Sequence, residues 1–264
     1  MVKKMEIDGS TKVMGIIGSP VVHSFSPFIY NLISSRLGDN IVYTAFDVAE
    51  HDFDAAVEGA QALGIISLNV TAPHKTNAAR AAISIDTPAK QADAVNLLKL
   101  TDHGYMGYNT DVYGVIGAFK HHGINVAGKT VALVGAGGAG RASGIAMAQM
   151  CAKKIFITNR TRSKAESLAN SIEIHYNIDT EVCELPNCNA DILVLAASPN
   201  YIPQELSCFD IIFDVNYYPP NRIPQAFGGL EMLVYQAVQT YEIILGVKVP
   251  VKIIDEILTK IRTC

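Results

Sequence analysis

The sequence of 264 residues predicts an α/β protein built as two units, and three observations carry that prediction. Short β-branched runs alternate with helix-period stretches from end to end, the alternation breaks once at a hairpin pattern, and it then restarts as a second, self-contained series. In the first series, residues 12–17 read as a strand, 26–37 as a helix, 41–47 as a strand, 52–63 as a helix and 65–70 as a strand. Residues 95–100 and 105–109, joined at Asp102-His103-Gly104, read as a hairpin rather than a crossover. A helical stretch over 110–122 leads into strands over 130–134, 154–158, 191–196 and 210–215, with helices over 139–150 and 163–171. The last two segments, 232–245 and 251–261, are helices parted by Gly246 and Pro250 with no strand after them, so they are expected to pack back on the first unit. The expected division is 1–111 with 236–264 as one domain and 112–235 as the other.

Composition narrows the function. With 49% hydrophobic residues the chain can bury a sizeable core, and 21 Lys plus Arg against 25 Asp plus Glu leave a net charge of -4. That balance argues against nucleic acid or an anionic membrane as the main partner. Mean hydropathy is positive, yet Gly, Pro or a charge interrupts every apolar run before the ~18 residues a bilayer requires. Lys3, Lys4, Glu6 and Asp8 occupy the place where a signal peptide would be apolar, so a cytoplasmic protein is expected. Five cysteines, at 151, 183, 188, 208 and 264, form no CxxC and read as reduced structural thiols. His121 and His122 stand about 100° apart on a helix and are expected not to converge on an ion, so no metal is expected.

One motif points to a nucleotide. Gly135, Ala136, Gly137, Gly138, Ala139 and Gly140 follow an apolar strand and open a helix. In that context the first glycine permits the turn, the second lets backbone approach a pyrophosphate, and the third lets helix and strand pack closely, the arrangement of a Rossmann-type domain. The next strand ends in Asn159, Arg160, Thr161 and Arg162, with Lys164 close behind, where an NAD protein usually places a carboxylate. Guanidinium groups pair with a 2'-phosphate that a carboxylate would repel, so NADP is expected over NAD. The alternative is that these are solvated charges at a strand end.

Three polar stretches lie at or just past strand ends of the first series, where open α/β sheets place ligands. Ser24 and Ser26 offer two hydroxyls near a helix start; they suit a small carboxylate, although Ser26 before Pro27 also reads as a helix cap. Asn69, Thr71 and Lys75 follow the third strand, and Asn109-Thr110-Asp111 stands at the restart. Lys75 and Asp111 are the candidate acid/base pair, suited to passing a proton to an alkoxide as hydride moves, and the sequence alone does not bring them together.

Taken in order, these pieces resemble the shikimate dehydrogenase family over nearly the whole chain. The resemblance rests on Gly18 to Pro27, Asn69 to Lys75, Ala94-Val95-Asn96, Asn109-Thr110-Asp111, the glycine loop with Asn159-Arg160-Thr161, Asp214 to Pro219, and Met232 to Ala237. It implies an N-terminal α/β substrate domain, an NADP-binding domain, C-terminal helices returning to the first, and reversible reduction of 3-dehydroshikimate to shikimate in aromatic amino acid biosynthesis. By the family pattern Lys75 and Asp111 are the catalytic pair, Ser24 and Ser26 hold the substrate carboxylate, Thr71, Asn96 and Gln236 line the ring hydroxyls, and Tyr217 sits between substrate and nicotinamide. Leu97, Tyr30, Val112, Ala196-Ala197-Ser198 and Arg222 depart from that pattern. They leave open a relative acting on quinate or an amino-substituted shikimate, and a ligand sensor on the same fold remains the non-enzyme alternative. Monomer and homodimer are equally compatible with the sequence.

Overall fold

The structure, a computed structural model, describes residues 6–185, 189–204, 206–219 and 222–263. The chain divides into two compact units, 1–110 with 237–264, and 111–236.

In the first unit the strands are β1 (Lys12–Gly18), β2 (Ile41–Asp47), β3 (Ser67–Val70), β4 (Ser84–Ile85), β5 (Leu97–Thr101) and β6 (Gly104–Tyr108), in the order β2-β1-β3-β5-β6-β4. The β1, β2 and β3 ladders are parallel, whereas β3, β5 and β6 run antiparallel through the expected hairpin. Helix α1 (Ser26–Leu37) and helix α2 (Phe53–Ala62) connect the parallel strands, the latter entered through a single 3-10 turn at Glu50–Asp52. Ile17, Phe53, Leu68, Leu98 and Tyr105 form the centre of one apolar core here.

Sequence reading assigned nothing between residues 75 and 92, where the structure has α3 (Lys75–Ala81), β4 and α4 (Thr87–Ala92). These elements are too short for periodicity to mark them. The start of α4 is nevertheless chemically plain: Asp86 accepts from the amide of Ala89 at 2.8 Å, and Pro88 stands in the first turn.

The second unit opens with α5 (Asp111–His121) and contains β7 (Thr130–Val134), α6 (Gly138–Gln149), β8 (Lys154–Thr158), α7 (Arg162–Tyr176), β9 (Asp179–Val182), β10 (Ile192–Leu195), β11 (Ile211–Asp214) and β12 (Phe227–Gly228). All of its ladders are parallel, in the order β12-β11-β10-β7-β8-β9. Numbered from β7, that is the 3-2-1-4-5-6 order of dinucleotide-binding sheets, with the reversal between β7 and β10. The expected helix over 163–171 runs on to Tyr176, stopped by Asn177 at φ 52°, and β9 and β12 were not expected.

Helix α8 (Gly229–Leu245) begins in the second unit and ends in the first, followed by α9 (Val251–Ile261). Within the first unit α9 meets α1 through a two-pronged Arg36–Glu256 ion pair, and Tyr241 of α8 donates to Asp39 at 2.5 Å. Within the second unit, α5 presents Gly114 and Gly117 to α8. A methyl at Gly114 would stand 2.6 Å from the Met232 carbonyl, and one at Gly117 would run into the Tyr235 ring.

His121 closes α5 and His122 follows it, its amide still bonded to the Ala118 carbonyl at 3.3 Å; despite that helical spacing the two rings meet edge to face at 5.2 Å. Contrary to the sequence expectation, the nitrogens of this pair and a carboxylate oxygen of Glu231 all lie within 4.8 Å of one another. Of the cysteines expected to be structural, Cys151 and Cys208 are exposed and Cys183 is half-buried; none of the three forms a disulfide among the described residues. Cys188 and Cys264 lie outside the described residues.

Packing and charge here generate three predictions. Replacing Gly114 with Ala destabilises the protein by about 1–3 kcal/mol, because the obstructing atom is backbone. Gly59→Ala, in a helix with open space beside it, raises stability by about 0.5–1 kcal/mol in the same thermal melts. Hydrogen bonding from Arg36 holds the Glu256 carboxyl down at about 2. A depressed carboxyl stabilises the fold above its unfolded value and loses that contribution as pH falls toward the folded one. The melting-temperature gap between the native chain and Glu256→Gln is therefore expected to narrow steadily as pH is lowered from about 6 to 3.

Candidate functional site

Parallel strands deliver their loops to one end of a sheet, and in the first unit the order β2-β1-β3 sets the loops after β1 and β3 side by side. Their backbones are joined directly: Ser19 donates to the Ala72 carbonyl at 3.1 Å and Thr71 to the Ile17 carbonyl at 2.9 Å. Both loops turn through a cis X-Pro bond, at Pro20 and Pro73. Gly18 is required for this approach, since a Cβ there would collide with the Thr71 methyl.

Ser24 and Ser26 divide their roles differently from the helix-cap alternative. Phe25 is the N-cap of α1 and gives no side-chain cap; instead Ser24 Oγ accepts from the Ser26 amide at 3.2 Å. Ser26 is buried and lies in hydrogen-bonding reach of Tyr43, whose phenol burial pushes well above its ordinary value. Tyr43 stacks on Tyr30 at 4.1 Å and donates to Asn69 Oδ1 at 2.9 Å.

From Asn69 a buried polar network continues. Its Nδ2 donates to the Asn96 carbonyl at 3.3 Å and reaches Thr240 Oγ1 at 3.5 Å. Asn96 forks onto Thr110: Oδ1 accepts from the Thr110 amide at 2.7 Å, and Nδ2 donates to the Thr110 hydroxyl at 3.0 Å. The hydroxyls of Thr110 and Thr240 meet at 3.0 Å. Asn69, Asn96, Thr110 and Thr240 are each at most 4% exposed, so these amides and hydroxyls are oriented by one another rather than by water.

Lys75 is the first residue of α3, half-buried, and its carbonyl accepts from the Val95 amide at 3.3 Å, next to Asn96. The preceding His74 is fully buried, stacked on Phe53 with Nε2 2.8 Å from the Val48 carbonyl, which fixes where the helix starts. The first unit thus links Asn69 and Asn96 in one buried network, ties the Lys75 backbone to it through Val95, reaches Ser26 through Tyr43, and places Thr71 on the loop that leads into Lys75. Sequence reading missed Tyr43 and Thr240. A signal for Thr240 was present, since it lies one helical turn beyond Gln236.

In the second unit Asp111 is the first residue of α5, 6% exposed, at the helix end where a carboxylate is favoured by the helix dipole. Gln236 is equally buried, donates to the Leu233 carbonyl at 3.0 Å, and its Cβ abuts Gly114 of the same unit.

The glycine loop lies at the reversal point of the second sheet. Gly135 has φ 109°, and a Cβ on it would meet the Ala196 carbonyl at 2.5 Å; one on Gly140 would strike the Gly135 carbonyl. Gly137 differs: it is the N-cap of α6 without a side-chain cap, and a Cβ there would point into open space. Open space beside uncapped helix N-H groups fits a pyrophosphate. Asn159 is committed to shaping this loop, accepting from the Ala136 amide at 3.0 Å and donating to the Thr161 carbonyl at 2.8 Å. Arg160, Thr161, Arg162 and Lys164 are exposed beside it; Arg162 pairs with Glu166 at 2.8 Å on the surface, an exchangeable contact. These residues fit a 2'-phosphorylated dinucleotide.

Tyr217 is half-buried, and burial raises its phenol above the ordinary value. Its loop is tied down by a buried charge cluster that sequence reading noted only as a departure at Arg222. Arg222 Nε donates to Asp214 at 2.7 Å and its Nη1 to the carbonyls of Pro199 and Tyr201, while Asp214 also accepts from Asn216. Gly229 lets α8 start against the Asn216–Tyr217 peptide, 2.7 Å from where a Cβ would be.

Residues 16–98 match the family model described as shikimate dehydrogenase substrate binding domain, 118–208 that of shikimate / quinate 5-dehydrogenase, and 229–259 that of the shikimate 5'-dehydrogenase C-terminal domain. The shikimate dehydrogenase (NADP(+)) of Methanocaldococcus jannaschii is 33% identical over 281 residues, covering 97% of this chain and 99% of its own. That of Caldanaerobacter subterraneus is 34% identical over 256 residues, 88% of this chain and 91% of its own. A crystal structure of a shikimate dehydrogenase in complex with NADP+ is similar with a TM-score of 0.84 and 31% identity over 97% of each chain.

Thr240→Val keeps the shape and removes one hydroxyl from the network, leaving Thr110 and Asn69 short of a partner. A loss of about 1–3 kcal/mol in denaturant unfolding is expected; an unchanged midpoint would show that the network does not hold the first unit together.

Proposed function

Because the chain belongs to the shikimate dehydrogenase family, we propose that it is an NADP-dependent shikimate dehydrogenase, reversibly reducing 3-dehydroshikimate to shikimate on the route to aromatic amino acids. The observation that carries this reading is the joint presence of two things: a glycine loop with open space at Gly137, followed by basic rather than acidic side chains, and a polar strand-end cluster around Asn69, Asn96 and Lys75.

NADP, when bound, supplies or takes up the hydride. Gly135 to Gly140 receive its pyrophosphate on backbone N-H groups, and Arg160, Arg162 and Lys164 with Thr161 pair with the 2'-phosphate. Ser24 and Ser26 hold the substrate carboxylate. Asn69, Thr71, Asn96 and Gln236 bind ring hydroxyls, and Tyr217 supports the ring face. As negative charge grows on the ketone oxygen, the Lys75 ammonium donates a proton to it, and the Asp111 carboxylate serves as the group that orients this ammonium. Side chains already fixed by buried hydrogen bonds reject a substrate lacking a hydroxyl, since the site's own groups would be left unpaired.

A second reading, broader specificity that includes quinate, is favoured by one residue. Leu97 stands where the family usually has threonine and is fully buried opposite Asn69 on the β3–β5 ladder, so it offers the substrate no hydroxyl. No described helix is long and apolar enough to cross a membrane; the proposal carries with it a cytoplasmic location and a monomer or homodimer.

The test is an absorbance assay at the nicotinamide band with shikimate and quinate, each against NADP and NAD. Turnover of shikimate with NADP is expected to be fastest, and absence of shikimate turnover would overturn the reading. In the same assay Lys75→Ala lowers kcat by about two to four orders of magnitude with a smaller effect on KM. A near-native kcat would remove Lys75 as the proton donor.

A further inference from the structure

The end of α5 carries chemistry that the dehydrogenase reaction does not use. His121 is the last residue of the helix and His122 the first beyond it, and both face the opening turn of α8, where Glu231 and Tyr235 stand four residues apart on one face. His122 Nε2 lies 3.5 Å from Glu231 Oε1, and donor atoms of His121, His122 and Glu231 are all within 4.8 Å of one another. Glu231 is 6% exposed, whereas both imidazoles reach the surface.

We propose that His121, His122 and Glu231 form a binding site for one divalent transition cation of the zinc class. Two imidazoles and a carboxylate are the protein ligands of open zinc sites, which keep a further position for water. Bonds of about 2.0–2.1 Å in a tetrahedral arrangement separate neighbouring donor atoms by roughly 3.3–3.4 Å. The His122–Glu231 pair already has nearly that spacing. His121, whose donor atom lies within 4.8 Å of both, needs to move by no more than about 1.5 Å to join it, within the freedom of an exposed side chain.

The surroundings suit a cation. The carbonyl end of α5 carries the negative pole of the helix dipole. The carboxylate comes from a buried position, so it is held in place rather than free to swing into solvent. Tyr235 Oη meets His121 Nδ1 at 3.1 Å, the sort of polar contact that sets a ligating ring's tautomer and orientation. Phe227 packs against the His122 ring, centroids 4.6 Å apart. Gly114 and Gly117 hold α5 against α8, so the two ligand-bearing segments are fixed without help from an ion. None of the three ligands belongs to the proposed substrate or cofactor residues.

The test uses the full chain and Zn2+ alone, in isothermal titration and equilibrium dialysis with metal counting, alongside a His121→Ala/His122→Ala double variant. One equivalent per chain is expected in the native protein, and it is lost or weakened by at least roughly 10–100-fold in the double variant, since removing a ligand costs no less than removing an outer-shell partner. His122 also packs on Phe227 and pairs with the buried Glu231, so the double variant is expected to melt lower without metal; the titrations are run well below that melting temperature, with far-UV circular dichroism matching the native chain, which separates loss of ligands from loss of fold. Glu231→Gln provides a third arm in which binding falls while both histidines remain. Failure of the native chain to bind Zn2+, or binding of equal strength in the double variant, overturns the proposal; the latter would place the ion on other histidines or on the exposed thiols.

Discussion

A buried side-chain amide cannot be left half satisfied, and Asn96 is where this protein meets that constraint most directly. Its Oδ1 and Nδ2 both close on Thr110, and its own carbonyl receives bonds from the Val70 amide and from Asn69. One residue therefore fixes the end of β3, the entry to β5 and the exit from β6 relative to one another. Lys75 is one backbone bond away through Val95, and Asp111 follows Thr110 in sequence. Remove the fork and the desolvation of several polar groups goes uncompensated at once.

The second unit meets a different constraint, a close approach of backbone segments around the glycine loop, and it does so by leaving side chains out. Gly135 and Gly140 are demanded by neighbouring carbonyls, while Gly137 is demanded by nothing in the chain itself. That contrast separates glycines kept for packing from one that fits the proposed pyrophosphate position. Asn159 holds the loop from below, and the Asp214–Arg222–Asn216 cluster holds the loop that carries Tyr217. In both places a polar side chain is used to fix backbone, leaving the ligand to backbone N-H groups and to neighbouring residues.

Legibility followed the strength of local patterns. Helix α1, α9 and strands β2, β7 and β8 match the sequence reading residue for residue because caps, glycines and alternation agree there. Helices α3 and α4 escaped because six or seven residues cannot display a period, and β12, two residues long, owes its existence to pairing with β11. The glycine loop and its basic flank could be read because each residue type there has its own reason. Tyr43 could not, since its partner lies 26 positions away; Thr240 stands one turn beyond Gln236, which was a signal, but its importance comes from a partner 130 positions away. The histidine pair could not be weighed from backbone spacing alone, because its rings meet at 5.2 Å and the third donor, Glu231, comes from another helix.

The first unit is discontinuous in sequence, and its closing contacts come from the far end of the chain. Arg36 waits for Glu256, Asp39 for Tyr241, Lys99 for the Ile243 carbonyl and Asn69 for Thr240. The second unit, 111–236, is contiguous and has all its residues sooner. During synthesis from the N-terminus, then, the segment made first is the one completed last: Thr110 and Asn69 have Asn96 and Tyr43 as partners within 1–110, but their contacts with Thr240 can form only once 237–264 has been made.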